Sequence, residues 1–192
     1  MSFLAPFTGG ELLDALRALA RDTCPGEDGL LPSFFLHYWE LLEEGLRLAF
    51  QEMMDRGVMP EPLSEGLILL IPKGGGDYEL IRQWRPITIL NSVYKILTKA
   101  LSLRLQPMLE SLIHPTQTGF IKDRNILDNI FTFWEVVLLA LMRDESMAVL
   151  LLDFEKAYDR VDWAFLEATM LQMGFPELWI RGVASLFRSA HS

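Results

Sequence analysis

Apolar residues recur at helical spacing over most of the chain and cluster at strand-like density in two short runs. Leu12, Leu13, Leu16 and Leu19 share one face of a helix opened by Thr8-Gly9-Gly10-Glu11, a Thr with a Glu three residues later in capping-box form. Phe35, Trp39, Leu42, Leu46, Ala49, Phe50 and Met53 keep the period from Pro32-Ser33 to about Arg56, with Gly57 as the stop. This Met and aromatic stripe reads as core rather than as a cofactor contact. A third helix covers Asn91 to about Gln106, with Pro107 near its end, and a fourth runs from Asp123 or Asn125 to about Arg143. Two last helices, near 162–173 and 176–189, are separated by Gly174-Phe175-Pro176. Between the helices, Gly66–Ile71 reads as a buried strand and Ile81–Ile87 as its return, with Pro86 marking an edge or a strand end. Ala148–Leu152 reads as a second buried strand, stopped abruptly by Asp153. The pattern predicts a helix-rich α+β fold.

Length and composition narrow the class. The 192 residues, half of them hydrophobic and 22% charged, suit one sizeable domain or two small ones and exclude a disordered chain. Apolar runs reach only about seven residues, against the roughly 20 a membrane span needs. MSFLAPFTGG lacks a basic segment followed by an apolar core, so no secretory signal is expected. The single Cys24 excludes an internal disulfide and a cysteine-based zinc site. An intracellular location, cytoplasm or nucleus, is the expectation.

Charge changes the picture further. The net charge of −9 argues against a simple nucleic-acid binder, but its distribution is uneven. Residues 1–65 carry 4 Lys/Arg against 12 Asp/Glu (−8), 66–106 carry 6 against 2 (+4), and 107–192 carry 7 against 12 (−5). A basic island lies between acidic flanks.

The chemistry concentrates at MAVLLLDFEKAYDRVDW, Met147–Trp163. An apolar strand delivering a carboxylate at its C-terminal end, then a turn and an aromatic five residues on, suits a metal-and-nucleotide site. A solvated Asp capping a core strand is the plainer alternative. Asp162 reads as the N-cap of the helix opened by Trp163, and Asp159 as a cap or surface partner of Arg160. The run Pro72-Lys73-Gly74-Gly75-Gly76 lacks the spacing of a phosphate-binding loop and reads instead as a flexible hairpin tip carrying Lys73. A haloacid-dehalogenase type of phosphatase needs Asp-x-Asp, but the third residue here is Glu155.

Five blocks stand in order: PGEDG, LIPKGGG, RPITILNSVYKILTKALSLRL, QTGF and LLDFEKAYDRVDW. Together they resemble the reverse transcriptase domain of LINE-type, non-LTR retrotransposons, from about Phe7 to the end of the chain. Departures from that pattern are Glu27 in the first block, Thr118 in QTGF and Tyr158 where Phe is common. The resemblance implies right-hand polymerase fingers and a partial palm. It divides the chain into a helical N-terminal extension (1–59), fingers (60–145) and the start of a palm (146–192). The family's second catalytic block, [FY]-x-Asp-Asp, is absent, for the sequence has no Asp-Asp pair. The expectation is therefore a fragment truncated before that hairpin and the thumb, and inactive alone.

The resemblance also implies roles. Asp153 would be the catalytic metal ligand for Mg²⁺, with Phe154 lending a carbonyl and backbone N–H groups of the 154–158 turn holding triphosphate oxygens. Tyr158 would be the steric gate against a ribose 2′-hydroxyl, an ordinary buried Tyr being the alternative. Lys73 and Arg85 would contact the triphosphate, Lys as a point charge and Arg through planar bidentate contacts. Gln117, Gly119 and Phe120 would approach the template. Lys95, Lys99 and Arg104 would meet backbone phosphates, a solvated helix face being the alternative. The implied partners are an RNA template, a DNA primer and deoxynucleoside triphosphates, with no membrane. The rival from another class is a non-enzymatic remnant, either a nucleic-acid-binding module or an inert transposon copy.

Overall fold

The computed structural model describes residues 3–19, 24–74, 78–154 and 156–188. It holds eight helices among those residues: α1 Gly9–Ala18, α2 Pro32–His37, α3 Trp39–Arg56, α4 Glu61–Ser64, α5 Ser92–Leu112, α6 Ile126–Met142, α7 Trp163–Gln172 and α8 Glu177–Arg188. One antiparallel pair, β1 Gly66–Pro72 and β2 Trp84–Leu90, completes the helix-rich α+β architecture. The chain divides into two compact units, Met1–Arg104 with Glu167–Ser192, and Leu105–Leu166.

In the first unit the core is built where the helical stripes meet. Leu12, Ala15 and Leu16 of α1, Phe50, Met53 and Met54 of α3, Ile96, Leu97, Ala100 and Leu101 of α5, and Trp179, Ile180 and Ala184 of α8 are all buried. Gly182 on α8 lets Met54 lie against the backbone, for a Cβ there would sit 2.3 Å from Met54 Cε. Tyr94 on α5 donates its hydroxyl to the Leu186 carbonyl at 3.1 Å, satisfying an acceptor in the last turn of α8. Burial pushes the Tyr94 phenol pKa above its ordinary value.

One guanidinium ties this core to the N-terminal segment. Arg104 is buried, pairs with both carboxylate oxygens of Glu11 and donates to the carbonyls of Phe3, Ala5 and Pro6, the Ala5 bond being 2.8 Å. It also lies over the Phe7 ring, 4.2 Å from the centroid. The expected capping box is therefore half made. Thr8 Oγ1 accepts from the Glu11 N–H at 3.2 Å, but the Glu11 carboxylate is taken by Arg104. The expectation that Arg104 meets nucleic-acid phosphates is corrected by the same contacts.

At the other end of α5, Asn91 and Ser92 clamp the PGEDG loop. Asn91 Oδ1 accepts from the Asp28 N–H at 3.4 Å, Asn91 Nδ2 donates to the Pro62 carbonyl at 3.2 Å, and Ser92 Oγ donates to Leu30 O at 2.6 Å. Gly26 is required by close approach, since a Cβ there would come within 2.6 Å of the Asn91 backbone nitrogen.

Several elements differ from expectation. The helix expected from Pro32 to Arg56 pauses at Tyr38, which caps α2 and opens α3. That pause accommodates the packing of Phe34, Phe35, His37 and Tyr38 rings against one another while Phe35 and Trp39 are buried. Helix α5 continues through Pro107 to Leu112, although proline cannot supply the N–H that would bond one turn back. Residues Ile81–Gln83 form a 3-10 turn, so the return strand starts at Trp84. Pro86 sits inside β2 opposite Leu70, tolerated because both strands of a two-stranded sheet are edges. Neither apolar run is buried: Leu67–Ile71 are 42–53% exposed, and Leu150–Leu152 are 73–89% exposed. Residues 148–153 also form no strand. A strand is completed by a neighbour's backbone groups, and among the described residues no segment pairs with this one.

Replacing Arg104 with Ala should cost about 3–5 kcal/mol of the first unit's stability, because Glu11 is left buried without its partner. Urea unfolding followed by tryptophan fluorescence measures this. A loss below about 1 kcal/mol, the size expected of an exposed pair, would show that the burial carries no weight.

Candidate functional site

Among the expected site residues, those from QTGF and LLDFEKAYDRVDW fall in the second unit, and Lys73, Arg85, Lys95 and Lys99 in the first. Each group has its own geometry.

In the second unit the QTGF loop is built by Arg124. Its guanidinium donates to the carbonyls of His114 and Gln117 at 2.7 and 2.8 Å, and to those of Ile113 and Glu110 at 3.1 and 3.2 Å. Those oxygens belong to the last turn of α5 and the loop that follows, where helical acceptors lack internal partners. Thr118 is buried and accepts from Asn129 Nδ2 at 3.1 Å, and Ile121 is buried on the other side of the loop. Between these anchors Phe120 adopts φ +63°, which leaves its ring 88% exposed. Helix α6 behind it starts with a complete capping box, Asn125 with Asp128. Arg124 is a residue that sequence reasoning missed. A guanidinium offers five donors to orphan carbonyls, but Arg124 stands twelve residues past the end of α5, so no local spacing signalled the contact.

The Asp153 segment follows α6. Asp153, Phe154, Ala157 and Arg160 line an open cleft of about 540 Å³. Tyr158 is 75% exposed, not the buried tyrosine that the plainer alternative required, and its ring packs edge-on against Phe120 with centroids 6.3 Å apart. The turn that carries it is tight: Lys156 has φ +52° and its carbonyl accepts from the Arg160 N–H at 3.1 Å. Asp162 caps α7 as expected, accepting from the Phe165 N–H at 2.7 Å. Glu155 and the tip residues 75–77 lie outside the described residues.

For a divalent metal, the described part of the cleft furnishes one carboxylate, Asp153, and no group of three or more potential ligands occurs among the described residues. Mg²⁺ keeps several waters and takes substrate phosphate oxygens, so a single protein carboxylate fits part of such a site.

In the first unit, Lys73 extends the hairpin ladder by donating its N–H to Gln83 O at 2.7 Å, and its Nζ donates to Arg82 O at 2.8 Å. Ile71 pairs with Arg85, so Lys73 and Arg85 occupy one face as diagonal neighbours, about 7–8 Å apart by strand geometry. Trp84 Nε1 donates to the Tyr78 carbonyl at 3.0 Å and braces the same end of the hairpin. Lys95 donates from Nζ to the Cys24 carbonyl at 2.7 Å, so it helps to hold the PGEDG loop. Lys99 is half-exposed on the same helix.

The comparison with known families settles the class. Residues 71–191, more than half of the chain, match the family Reverse transcriptase (RNA-dependent DNA polymerase). The chain belongs to the reverse transcriptase family. Similar proteins include the uncharacterized 149 kDa protein of transposon TX1 from Xenopus laevis, 36% identical over 96% of this chain and 14% of its own length. The Pol polyprotein of the type-1 retrotransposable element R2 from Popillia japonica is 30% identical over 64% of the chain and 17% of its own. A probable RNA-directed DNA polymerase from transposon BS of Drosophila melanogaster is 26% identical over 82% and 18%. The resemblance to non-LTR retrotransposon reverse transcriptases read from the ordered blocks is thus borne out. The chain spans less than a fifth of the length of these relatives. No helix among the described residues is long and apolar enough to cross a membrane.

Arg124→Ala should weaken the QTGF loop by about 1–3 kcal/mol, the worth of hydrogen bonds from a charged donor. The readout is faster amide exchange at Gln117, whose N–H donates to His114 O at 3.0 Å. Arg124→Lys should restore little, because an ammonium cannot span four carbonyls. Unchanged exchange in both variants would contradict the bracing role.

Proposed function

We propose that this chain contributes the fingers and the first catalytic carboxylate of an RNA-directed DNA polymerase. The polymerase copies retrotransposon RNA from a DNA primer using deoxynucleoside triphosphates. On this reading residues 1–59 are a helical N-terminal extension, 60–145 fingers and 146–192 the start of the palm. The observation that carries it is the open cleft at Asp153 with Tyr158 exposed nearby, inside the stretch that matches the family.

Asp153 and the Phe154 carbonyl would hold Mg²⁺, which when bound activates the attacking primer hydroxyl and neutralises charge on the leaving phosphates. The protein's own groups do the rest. Tyr158, as the steric gate of this reading, excludes a 2′-hydroxyl. Lys73 and Arg85, sharing one hairpin face, offer a point charge and a planar fork to triphosphate oxygens. On the same reading Gln117, Gly119 and Phe120 serve the template strand, and Lys95 and Lys99 serve its backbone phosphates.

Two-metal nucleotidyl transfer needs both ions fixed against one phosphate, and these 192 residues contain no Asp-Asp pair. In primer extension with Mg²⁺ or Mn²⁺, neither this chain nor its Asp153→Asn variant should add nucleotides. A longer form supplying an Asp-Asp hairpin should extend a primer on RNA. There Asp153→Asn should cost at least about a hundredfold, the scale on which loss of one preorganised charge contact acts. Activity in that longer form that survives Asp153→Asn would overturn the assignment.

A further inference from the structure

We propose that Phe120 is a positioning residue for Tyr158, holding the ring of the sugar gate from outside the Asp153 segment. This rests on Tyr158 being the gate and adds the residue that fixes where its ring stands.

Three observations converge on Phe120. Its ring is 88% exposed, although a phenylalanine gains by burial and the loop has buried positions at Thr118 and Ile121 on either side. Its backbone is left-handed, φ +63°, a conformation that bulky residues adopt only when the surroundings impose it. Its ring meets the Tyr158 ring at 6.3 Å and 77°, within the range and geometry favoured by edge-to-face aromatic pairs. The strained backbone thus turns the ring out of the loop's own core and presents it to Tyr158. The loop is a firm support, being held by Arg124 and by the Asn129–Thr118 bond.

Tyr158, by contrast, stands out from its own segment. It is 75% exposed and sits in a turn entered through a second left-handed residue, Lys156. A gate discriminates only if its ring cannot swing aside when a 2′-hydroxyl arrives, because a mobile ring accommodates the extra atom at small cost. The Phe120 edge restricts that swing.

The test uses the chain itself, labelled with ¹³C at tyrosine ring positions, titrated with dCTP and with CTP in the presence of Mg²⁺. The wild type should bind dCTP in preference to CTP. Phe120→Leu should shift the Tyr158 ring resonances and lower the dCTP:CTP affinity ratio by roughly two- to tenfold, as the worth of an aromatic pair implies. The dCTP affinity itself should change less than the ratio. Phe120→Trp should restore both readouts. Phe120→Gly, which relieves the left-handed backbone, should lose discrimination without lowering the unfolding midpoint, whereas a purely structural role predicts a lowered midpoint. If Tyr158→Ala collapses the ratio and Phe120→Leu leaves it intact, the positioning role is overturned and the gate stands. A ratio indifferent to Tyr158→Ala, or a wild-type chain that binds neither nucleotide, overturns the gate reading and this inference with it.

Discussion

The buried Arg104–Glu11 pair is the constraint that ties α1 and the segment before it to α5. Both side chains are more than nine-tenths buried, so neither charge has water to fall back on. The pair is tolerable only because its remaining donors are used: three carbonyls of the Phe3–Pro6 segment and the Phe7 ring surround the guanidinium. In consequence α1, the segment before it and α5 are held in one register. Helix α5 carries further contacts within this unit. Its first turn fixes the PGEDG loop through Asn91, Ser92 and Lys95, and its middle carries buried Ile96, Leu97, Ala100 and Leu101. Within the second unit, the Glu110 carbonyl in the last turn of α5 accepts from Arg124. Two of the ordered blocks in the sequence, PGEDG and the one running through α5, are thereby bound to each other.

Local signals were legible in the sequence because they act over a few residues. Thr8, Asn125 and Asp162 cap helices where their side chains suggested, and Gly57 ends α3 in the left-handed conformation. What failed depended on partners elsewhere in the chain. Arg104 was grouped with exposed lysines, yet it lies four residues after Ala100 and three after Leu101, on the buried stripe of its own helix. That spacing was the missed signal. The run 148–153 has a strand's composition, but pairing is a property of two segments and only one is present among the described residues. Pro107 was expected close to a helix end, whereas the α5 ladder resumes beyond it.

The candidate site divides in the same way. The proposal that Asp153 and Tyr158 bear the chemistry rests on the ordered blocks, and the family match supports the class to which those blocks belong. Their setting came only from structure: the cleft beside Asp153, the exposure of Tyr158 and the edge-on Phe120. No periodicity predicts that a phenylalanine will sit in a left-handed turn and face solvent. Lys73 and Arg85 illustrate an intermediate case, since their common face follows from the hairpin register once β1 and β2 are known to pair.

The central proposal is that the segment from Asp153 to Tyr158 is the metal-and-nucleotide end of this chain. Paramagnetic broadening by Mn²⁺, followed residue by residue in the NMR spectrum, tests it most directly because it needs no turnover. Broadening should centre on Asp153 and Phe154, reach Ala157 and Tyr158, and disappear in Asp153→Asn. Broadening centred elsewhere, or unchanged by Asp153→Asn, would contradict the assignment.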